Sequence, residues 1–549
     1  MSAGPNGGQL TARQLAAAGI DTIFGVVAGP MIEVLAGAVE AGITVVNCRH
    51  EESAGFMASA WGYVKQRPGV LVVGSGPALT NAVTPMHVAT ESAMPLVVLG
   101  GSTHGPTRGL GGFQEADQIA FANPGCKWTR SVDATERIPE LVHLALGKAA
   151  AGRPGAVYLD YPAQVVSRRI PEERVRLRAR GPEVARPHAD PDAVERTAEL
   201  FARAQRPLLL IGKGAAWAGA GSALARLADL GIPYVCSPMA RGTIPDDHPG
   251  FMNAARGEAL AQADAIVMIG GRFNWIFGFG GAGRFASGVR IAQIDVEAEE
   301  LWSGADVELG IVADAAVAAE QLAAALAGRA LACADGRWLA SLRAKREANE
   351  ASLARAMQAD GVPIDPHRLL RELREVLPRD TRIAVDGETI MGITRQILPC
   401  YVERGMLNAG TTGCMGTGVP YAIGAKLASP REPSVAILGD YAFGAAAMEI
   451  ETAARVGANV VMVVANNEGI AGHAIQDGMF PAGSPRVASL LPAHYEKLAE
   501  MVDGHAERVE SPEQIRPALE RALAADRPAL VHVRIDPKAT RLSGGVYLR

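Results

Sequence analysis

Short runs of consecutive apolar residues recur along this chain, and each run ends in a glycine or polar residue. "SVAILGD" and "NVVMVVANN" are two such runs, and "AFGAAAMEIETAARVGA" between them has apolar residues at helical spacing. Strands that are apolar at every position are buried on both faces, which is typical of parallel sheets covered by helices. The pattern therefore predicts an α/β fold built from strand–helix–strand units with right-handed crossovers.

This alternation divides the 549 residues into three segments, and the length suits about three domains. We predict three consecutive doubly wound parallel-sheet domains at 1–180, 190–330 and 365–549, with a Rossmann-like central domain. Residues 167–191 are charged and contain prolines, which predicts a surface linker. The predicted strands are "DTIFGVVAG", "ITVVNCRH", "GVLVVGSG" and "PLVVLGG", then "RPLLLIGKGA", "IPYVCSPMA", "ADAIVMIGG" and "VRIAQIDV", then "RIAVDGE", "SVAILGD", "NVVMVVANN" and "ALVHVRID".

Charge and composition argue against several classes of protein. The net charge is -5 without a polybasic block, which argues against a nucleic-acid-binding protein. No apolar run reaches the roughly 18 residues of a membrane span, and "MSAGPNGGQLTARQL" lacks the regions of a signal peptide. The cysteines lack zinc-binding spacing and are expected to be buried thiols in a reducing cytoplasm: Cys48, Cys126, Cys236, Cys333, Cys400 and Cys414.

Polar residues stand at the carboxyl ends of two predicted strands in the third segment. Asp440 ends "SVAILGD", and Asn466 and Asn467 end "NVVMVVANN". Asn467 follows Asp440 by 27 residues, which is enough for one crossover, so both side chains are expected at the same sheet edge. A helix N-terminus near Ala442 points to this edge and favours a phosphate group.

These polar residues have a structural and a functional interpretation. Taken singly, Asp440 could cap the helix and the two asparagines could form a turn. Together, one carboxylate, one amide oxygen and a backbone carbonyl near Gly469 form a set of hard oxygen ligands. They are too few for a calcium cage and suit an octahedral Mg²⁺ completed by phosphate oxygens and water. The spacing therefore predicts a diphosphate held by magnesium.

The stretch "GDYAFG…NN" resembles the signature of enzymes that depend on thiamine diphosphate, also called thiamine pyrophosphate. The usual signature is GDG followed by NN, and here Tyr441 replaces the third residue without affecting the ligands. The resemblance implies that Asp440, Asn467 and the Gly469 carbonyl hold Mg²⁺. It also implies that the surrounding residues and the facing "VDGE" loop bind the cofactor: Gly387, Glu388, Gly439, Tyr441, Ala442 and Ile470.

The stretch "NCRHEESAGFMASAWGYVK" resembles the pyrimidine-binding domain of the same enzymes. By that resemblance Glu51 activates the cofactor through its pyrimidine ring, a role that perturbs the pKa of a carboxyl group. From the residues alone, Glu51 and Glu52 are acidic residues favoured at a helix N-terminus. The resemblance also implies an apolar wedge between the cofactor rings. Met415, next to glycine in "TTGCMGTG", is the candidate, although it could instead fill the core.

Segments outside the cofactor motifs resemble the oxalyl-CoA decarboxylase and 2-hydroxyacyl-CoA lyase family, among them "FGVVAGPM", "GIPYVCSPMARGTIPDDHP" and "IGGRFNWIFGFG". Decarboxylases typically show Tyr-Glu where this chain has Phe113 and Gln114. The resemblance therefore implies a lyase that cleaves a 2-hydroxyacyl-CoA into formyl-CoA and an aldehyde or ketone, or joins them in reverse, with the cofactor as electron sink. Gln114 could donate a hydrogen bond to a substrate oxygen. Alternatively, Phe113 lies in the core and Gln114 on a surface loop.

Three alternative functions stay open. An oxalyl-CoA decarboxylase would release CO₂ from oxalyl-CoA. An acetolactate-synthase-like carboligase also fits the Phe-Gln pair, but "GIAGHAIQ" replaces the Trp-Gln motif of that group after the paired asparagines. A non-catalytic binding or scaffold protein is disfavoured by the presence of Glu51, Asp440 and Asn467.

The resemblance also implies a homodimer or homotetramer with active sites at subunit interfaces. His473 and Glu496 are candidate proton movers, and each could equally be structural. The chain ends at "SGGVYLR", without the basic C-terminal tail of its relatives, which predicts a more open site or a truncated tail.

The phosphates of coenzyme A require cations. Arg241 and Arg395 are the candidates for this role, and Lys213 and Arg272 in the central domain are candidates for a bound ADP. Each of the four could instead be an ordinary surface charge.

Overall fold

The structure is a computed structural model that describes residues 4–178, 184–281 and 283–539. The predicted linker lies partly, and the "SGGVYLR" end wholly, outside the described residues. Within the described ranges, no helix is long and apolar enough to cross a membrane.

The chain divides into two compact units. The first comprises 1–184, 412–431 and 445–460, and the second comprises 185–411, 432–444 and 461–549. The second unit holds two sheets, and the first unit includes two helices from the predicted third domain. The predicted domain boundaries stay a prediction.

The first unit contains a six-stranded parallel sheet. Its strands are β1 (Thr22–Gly25), β2 (Thr44–Asn47), β3 (Gly69–Val73), β4 (Leu96–Ser102), β5 (Trp128–Ser131) and β6 (Ala156–Pro162). Its helices up to residue 178 are α1 (Gly7–Ala17), α2 (Ile32–Glu40), α3 (Glu51–Lys65), α4 (Pro77–Glu91), α5 (Gln118–Ala122), α6 (Ile138–Ala150) and α7 (Ala163–Ser167). The strand order is β2-β1-β3-β4-β6-β5. The central strands β3, β4 and β6 are buried at every position, as doubly covered strands must be.

The first sheet of the second unit has five parallel strands. They are β7 (Pro207–Ile211), β8 (Tyr234–Cys236), β9 (Ala265–Ile269), β10 (Arg290–Asp295) and β11 (Leu309–Val312), in the order β11-β10-β9-β7-β8. The helices are α8 (Pro191–Arg203), α9 (Lys213–Ala218), α10 (Gly221–Asp229), α11 (Arg256–Gln262), α12 (Ala315–Leu326) and α13 (Arg337–Met357). Aliphatic side chains, together with several aromatic ones such as Phe201 and Trp338, fill the core around this sheet.

The second sheet of this unit has six parallel strands. They are β12 (Arg382–Asp386), β13 (Met406–Leu407), β14 (Ser434–Gly439), β15 (Val461–Asn466), β16 (His505–Val509) and β17 (Ala529–Arg534). The strand order is β13-β12-β14-β15-β17-β16. The helices of this part of the chain are α14 (Pro366–Val376), α15 (Thr389–Ile397), α16 (Gly418–Ala428), α17 (Asp440–Ala446), α18 (Glu449–Arg455), α19 (Ala474–Met479), α20 (Lys497–Glu500) and α21 (Pro512–Ala524).

The two six-stranded sheets share one topology. Strand for strand, β2-β1-β3-β4-β6-β5 corresponds to β13-β12-β14-β15-β17-β16. In each sheet the chain winds in opposite directions from one point, between β1 and β3 or between β12 and β14. Ligands of such sheets bind at the carboxyl ends of the strands beside this point. The prediction of three parallel-sheet α/β domains is confirmed.

Five strands have no counterpart among the predicted ones. Four of them, β5, β11, β13 and β16, lie at sheet edges and are short or partly polar. The fifth, β6, is fully buried, but Asp160 interrupts its apolar run. Ser102, Ser131, Gln118 and Tyr158 hydrogen-bond to Asp160, so this carboxylate is accommodated inside the sheet.

Two smaller predictions also need correction. The helix predicted after Asp440 is two helices, α17 and α18, which are separated at Ala447 and Met448, and α17 begins at Asp440 itself rather than near Ala442. The six cysteines are free, but only four are buried, because Cys126 and Cys414 are partly exposed.

Candidate functional site

A cleft in the first unit lies at the carboxyl ends of β1 and β3 and has a volume of about 620 Å³. Glu51, the first residue of α3, lines it, and Glu51 Oε2 accepts a hydrogen bond from Asn81 Nδ2 at 3.0 Å. The cleft therefore holds the predicted activating carboxylate at the sheet position where a ligand is expected. Its polar lining also includes Ser75, Ser102, Thr103, His104, Thr107 and Gln114.

Phe113 and Gln114 line the same cleft. The Gln114 backbone has a φ of +56°, and its side-chain Oε1 accepts a hydrogen bond from Ser75 Oγ at 3.0 Å. Gln114 Nε2 makes no hydrogen bond to the described residues, so it can donate to a ligand. Phe113 is 88% exposed, which excludes the alternative that it fills the core.

Glu449 in α18 fixes the backbone that leads into Glu51. The buried Glu449 carboxylate accepts the N–H of Arg49 at 3.1 Å, and His50 N–H and Ser53 also hydrogen-bond to it. Burial raises the pKa of Glu449, and these donors oppose the rise. The start of α3 is therefore held in place by a carboxylate from a distant part of the sequence.

In the second unit, Asp440, Asn467 and Gly469 meet at the carboxyl ends of β14 and β15. Asp440 Oδ2 accepts the N–H of Gly469 at 3.0 Å. One end of the Asn467 side-chain amide, its oxygen or its nitrogen depending on the orientation of the amide, faces the other two residues. This inward atom lies 3.0 Å from Asp440 Oδ1 and 2.9 Å from the Gly469 carbonyl oxygen. A Cβ at Gly469 would lie 2.5 Å from the Ala488 carbonyl oxygen, so only glycine fits at this position. The structure thus brings together the three predicted metal ligands.

The separations within this group fit a magnesium ion. With nitrogen inward, the Asn467 amide donates to Asp440 Oδ1 and to the Gly469 carbonyl, and its oxygen accepts the N–H of Gly472 at 3.0 Å, so every group is satisfied without a metal. With oxygen inward, three oxygens face one another and require a cation. Adjacent ligands of octahedral Mg²⁺ lie about 2.9 Å apart, because each is about 2.0–2.1 Å from the metal. In the described part of the chain, no group of three His, Cys, Asp or Glu side chains could hold a metal ion. The present set is of another kind, because two of its three oxygens come from an amide side chain and a backbone carbonyl.

Asp440 itself is almost fully buried, with 1% of its surface exposed. Burial raises its pKa to about 6, opposed by hydrogen bonds from backbone N–H groups that include those of Tyr441 and Gly469. A buried carboxylate is costly in its charged form, so a cation beside Asp440 would stabilise it at neutral pH.

The remaining predicted cofactor residues surround this edge. A Cβ at Gly387, whose φ is +100°, would lie 3.1 Å from Gly439 N, so β12 and β14 approach closely there. Glu388 is exposed at the start of α15, and Tyr441 is 39% exposed, whereas Ala442 is buried. Ile470 N–H donates to the Ala488 carbonyl at 3.0 Å.

Met415 is placed in the first unit, three residues before α16. It is 45% exposed, so it does not fill the core and its side chain is accessible to a ligand.

The two candidate proton movers have different surroundings. Glu496 is 7% exposed, and its carboxylate accepts hydrogen bonds from His532 Nδ1 at 2.6 Å and His494 Nδ1 at 3.0 Å. It is therefore built into the core, which argues against a role in moving protons. His473 Nε2 lies 3.6 Å from Glu468 Oε2 and makes no hydrogen bond to the described residues.

The two candidate CoA cations separate clearly. Arg241 is 4% exposed and donates to Asp246 at 2.8 and 2.5 Å and to the carbonyls of Arg395 and Leu398. These bonds occupy its guanidinium, so the predicted role of Arg241 in binding phosphate is corrected to that of a structural ion pair.

Arg395 instead belongs to a group of three arginines with Arg256 and Arg284. The pKa of Arg256 is lowered to about 10, first by burial and then by the charges of Arg284 and Arg395. Arg256 lies over the Phe277 ring at 4.8 Å, and neither Arg256 nor Arg284 forms an ion pair with a described carboxylate. Because Arg256 is partly buried beside two other cations and has no acidic partner among the described residues, it favours an anionic ligand.

The two candidate ADP residues lie near the carboxyl edge of the central sheet. Lys213 begins α9 after β7, and Arg272 follows β9 and pairs with Glu300 at 3.5 Å. Arg272 is therefore already engaged by an acidic residue.

Four further residues of the site were not predicted from the sequence: Ser75, Asn81, Glu449 and Arg256. Ser75 and Asn81 belong to the turn and helix after β3, and their signal is the "GSGPALTN" stretch at a predicted strand end. Glu449 and Arg256 carry no local signal, because their roles depend on residues that are distant in the sequence.

Three family models match the chain in order. They are "Thiamine pyrophosphate enzyme, N-terminal TPP binding domain" over residues 5–121, "Thiamine pyrophosphate enzyme, central domain" over 194–322, and "Thiamine pyrophosphate enzyme, C-terminal TPP binding domain" over 387–533.

Curated proteins with full-length similarity carry three kinds of name. The chain is 33% identical to the human protein named 2-hydroxyacyl-CoA lyase 1, over 98% of this chain and 95% of that protein. It is 34% identical to the acetolactate synthase large subunit of Mycobacterium tuberculosis, over 96% of each chain. It is 33% identical to the oxalyl-CoA decarboxylase of Escherichia coli, over 96% of this chain and 94% of that protein.

Proposed function

The chain belongs to the thiamine pyrophosphate enzyme family, and from this premise we propose that it is a 2-hydroxyacyl-CoA lyase. It cleaves a 2-hydroxyacyl-CoA to formyl-CoA and an aldehyde or ketone, and in reverse it joins formyl-CoA to a carbonyl compound. The observation that carries this proposal is the cleft that brings Glu51 together with Phe113 and Gln114. The full-length similarity to proteins named 2-hydroxyacyl-CoA lyase supports it.

The second unit would hold the diphosphate through Mg²⁺. Asp440, Asn467 and the Gly469 carbonyl would be its protein ligands, as the separations among their oxygens suggest. When bound, thiamine pyrophosphate supplies an electron sink for cleavage of the C1–C2 bond of the substrate. Glu51 would hold the pyrimidine, and Asn81 keeps its carboxylate in the cleft.

Gln114 would bind a substrate oxygen. Its Oε1 is occupied by the Ser75 hydroxyl, so the amide presents N–H donors to the cleft. An amide donor stabilises negative charge on a substrate oxygen and does not repel an anionic substrate. Phe113 beside it provides apolar surface that excludes water.

The CoA phosphates are assigned to Arg256, Arg284 and Arg395. Two observations support this assignment. The charges of Arg284 and Arg395 lower the pKa of Arg256, and neither Arg256 nor Arg284 has an acidic partner among the described residues. Guanidinium groups bind phosphate through paired N–H donors. The proposed ADP site at Lys213 and Arg272 rests on their position at the sheet edge alone.

Association into a homodimer or homotetramer is part of the proposal. Large apolar side chains around the cleft are exposed, among them Phe113 at 88%, Leu110 at 78% and Val27 at 54%. Exposed apolar groups in one area are typical of surfaces that a partner covers. A cytoplasmic location is a further expectation, for which the free cysteines give the support.

The test combines the purified chain, thiamine diphosphate and Mg²⁺ with a panel of CoA thioesters, and mass spectrometry detects the products. We expect formyl-CoA and an aldehyde or ketone from a 2-hydroxyacyl-CoA, and the reverse product from formyl-CoA with an aldehyde. Turnover of oxalyl-CoA with CO₂ release, without lyase activity, would establish a decarboxylase instead. Activity restricted to pyruvate would establish an acetolactate-synthase-like carboligase.

A further inference from the structure

Three buried polar side chains hydrogen-bond to one another, and one of them also bonds to the loop that carries Asn467 and Gly469. His532 in β17 is fully buried, and Asn466 and Glu496 are 3% and 7% exposed. His532 Nδ1 is 2.6 Å from Glu496 Oε2, and His532 Nε2 is 3.0 Å from Asn466 Nδ2. We call these three residues the His532 network.

The chemistry of the groups gives this network one polarity. A carboxylate only accepts, so His532 Nδ1 carries the hydrogen that it donates to Glu496. His532 Nε2 is then an acceptor, and the Asn466 amide must present its NH₂ group to it. The oxygen of the same amide accepts the backbone N–H of Glu468 at 2.9 Å. The network therefore fixes which way Asn466 faces and what it holds.

The backbone that Asn466 holds needs support. Glu468 has a φ of +59°, which is unusual for a residue with a side chain. Glu468 lies between Asn467 and Gly469, the two predicted ligands of this loop. The hydrogen bond from Glu468 N–H to Asn466 therefore holds the turn that aims both ligands.

The same histidine also reaches the segment that carries Asp440. Its ring packs edge-on against Tyr495 at 5.5 Å, and Tyr495 packs edge-on against Phe443 at 5.6 Å. Phe443 lies on α17, three residues after Asp440. His532 is thus connected to both segments that meet at the metal site.

We propose that Asn466, Glu496 and His532 are positioning residues that set the geometry of the magnesium and diphosphate loop. The proposal rests on the proposed function, because it presumes that Asp440, Asn467 and Gly469 bind Mg²⁺. Burial of three polar groups is costly unless all are hydrogen-bonded, and here each satisfies the next. Groups that orient metal ligands in this way commonly affect metal affinity about 10–100-fold when they are removed.

The chain offers a matched control for this histidine. His505 in β16 of the same sheet also hydrogen-bonds a glutamate, with Nε2 at 2.9 Å from Glu507 Oε1. His532→Phe removes both hydrogen bonds and keeps a ring against Tyr495, and His505→Phe removes the control pair. His532→Gln retains one donor and one acceptor and is expected to restore part of the affinity.

The experiment measures Mg²⁺ binding to the full-length apo-protein by calorimetric titration at a fixed thiamine diphosphate concentration. Thermal unfolding in EDTA reports stability separately. We expect His532→Phe to weaken Mg²⁺ binding about 10–100-fold, His532→Gln to weaken it less, and His505→Phe to leave it within about twofold. If His532→Phe does not fold, Glu496→Gln is measured instead and is expected to show the same loss.

Two results would overturn the proposal while leaving the function intact. One is wild-type Mg²⁺ affinity in His532→Phe. The other is an equal loss in His505→Phe, which would assign the effect to general stability. A wild-type protein that binds no Mg²⁺ with thiamine diphosphate would overturn the metal assignment of the proposed function, and this inference with it.

Discussion

The carboxylate of Glu449 accepts the backbone N–H of Arg49 through both of its oxygens, at 3.1 and 3.3 Å. Arg49 lies two residues before Glu51, whereas Glu449 is 400 residues away in the sequence. Arg455 of the same helix donates to the Asn47 carbonyl at 2.5 Å. Helix α18 therefore holds the segment before α3 by hydrogen bonds. Because Glu51 is the first residue of α3, the position of its carboxylate depends on Glu449.

We expect Glu449→Gln to lower kcat strongly and to lower the midpoint of thermal unfolding only slightly. The amide presents an NH₂ group to donors that a carboxylate satisfies, and an unsatisfied buried donor costs about 1–3 kcal/mol. That cost displaces the start of α3, while loss of a buried charge offsets part of the effect on folding. Measurements of kcat and of the thermal midpoint test this, with Glu140→Gln, a surface residue of α6 paired with Arg137, as control. Unchanged kcat in Glu449→Gln would contradict a positioning role.

Glu51→Gln should lower turnover about 10²–10⁴-fold without preventing the cofactor from binding. A carboxylate that assists proton transfer commonly contributes about 10²–10⁴-fold to the rate. The amide retains a hydrogen-bonding group next to Asn81 but is no longer ionisable. Turnover and thiamine diphosphate affinity are measured together, and Glu52→Gln is the control because Glu52 lies on the same helical turn. Wild-type turnover in Glu51→Gln would remove Glu51 from the reaction.

The sequence predicted the central strands far better than the edges. The centre of a run such as "SVAILGD" is apolar at consecutive positions because both faces are covered, and this pattern predicts the strand directly. Strand β16 alternates weakly, and β6 contains Asp160, whose partners come from distant segments. Likewise, the Asp440 and Asn467 ends were predictable from strand topology, but the partners of Glu449 and Arg256 become visible only once the fold brings them together.

Ser75→Ala should weaken substrate binding through Gln114. The Ser75 hydroxyl fixes the Gln114 amide, and loss of one hydrogen bond of this kind costs about 0.5–1.5 kcal/mol. We expect KM for a 2-hydroxyacyl-CoA to rise about 2–12-fold, with a smaller change in kcat. Thr80→Ala removes an exposed hydroxyl from helix α4, which follows Ser75 in the chain, and serves as control. If Ser75→Ala and Thr80→Ala behave alike, Ser75 does not orient Gln114.

Arg256→Ala should discriminate between substrates with and without the CoA nucleotide. A charge-assisted hydrogen bond contributes about 1.5–3 kcal/mol, so KM for the CoA thioester should rise about 10–100-fold. The corresponding pantetheine thioester has no nucleotide phosphates and should keep its KM. Arg290→Ala is the control, since Arg290 is a surface residue of the central sheet paired with Glu308. Equal effects on both thioesters would show that Arg256 acts on folding rather than on phosphate.

The loop that carries Phe113 should open at acidic pH. The Glu115 carboxylate accepts the backbone N–H groups of Gly109, Gly111 at 3.1 Å and Gly112 at 2.9 Å. The hydrogen bond from Gly109 contributes most to lowering the pKa of Glu115 below its ordinary value of 4.5. Because the pKa of the Glu115 carboxyl group is lowered, the stabilisation of the loop by these three hydrogen bonds is fully present above pH 4.5. It is lost as the pH falls through the lowered pKa.

Glu115→Gln reproduces the open loop at neutral pH, because an amide accepts through one oxygen only and cannot satisfy three donors. We expect faster trypsin cleavage after Arg108 in this variant, and faster deuterium exchange of residues 109–112 in the wild type below pH 4.5, after correction for intrinsic rates. Glu172→Gln, which removes a surface ion pair with Arg13, should leave both unchanged. Protection that is independent of pH, together with wild-type cleavage in Glu115→Gln, would show that the glycines hold the loop without the carboxylate.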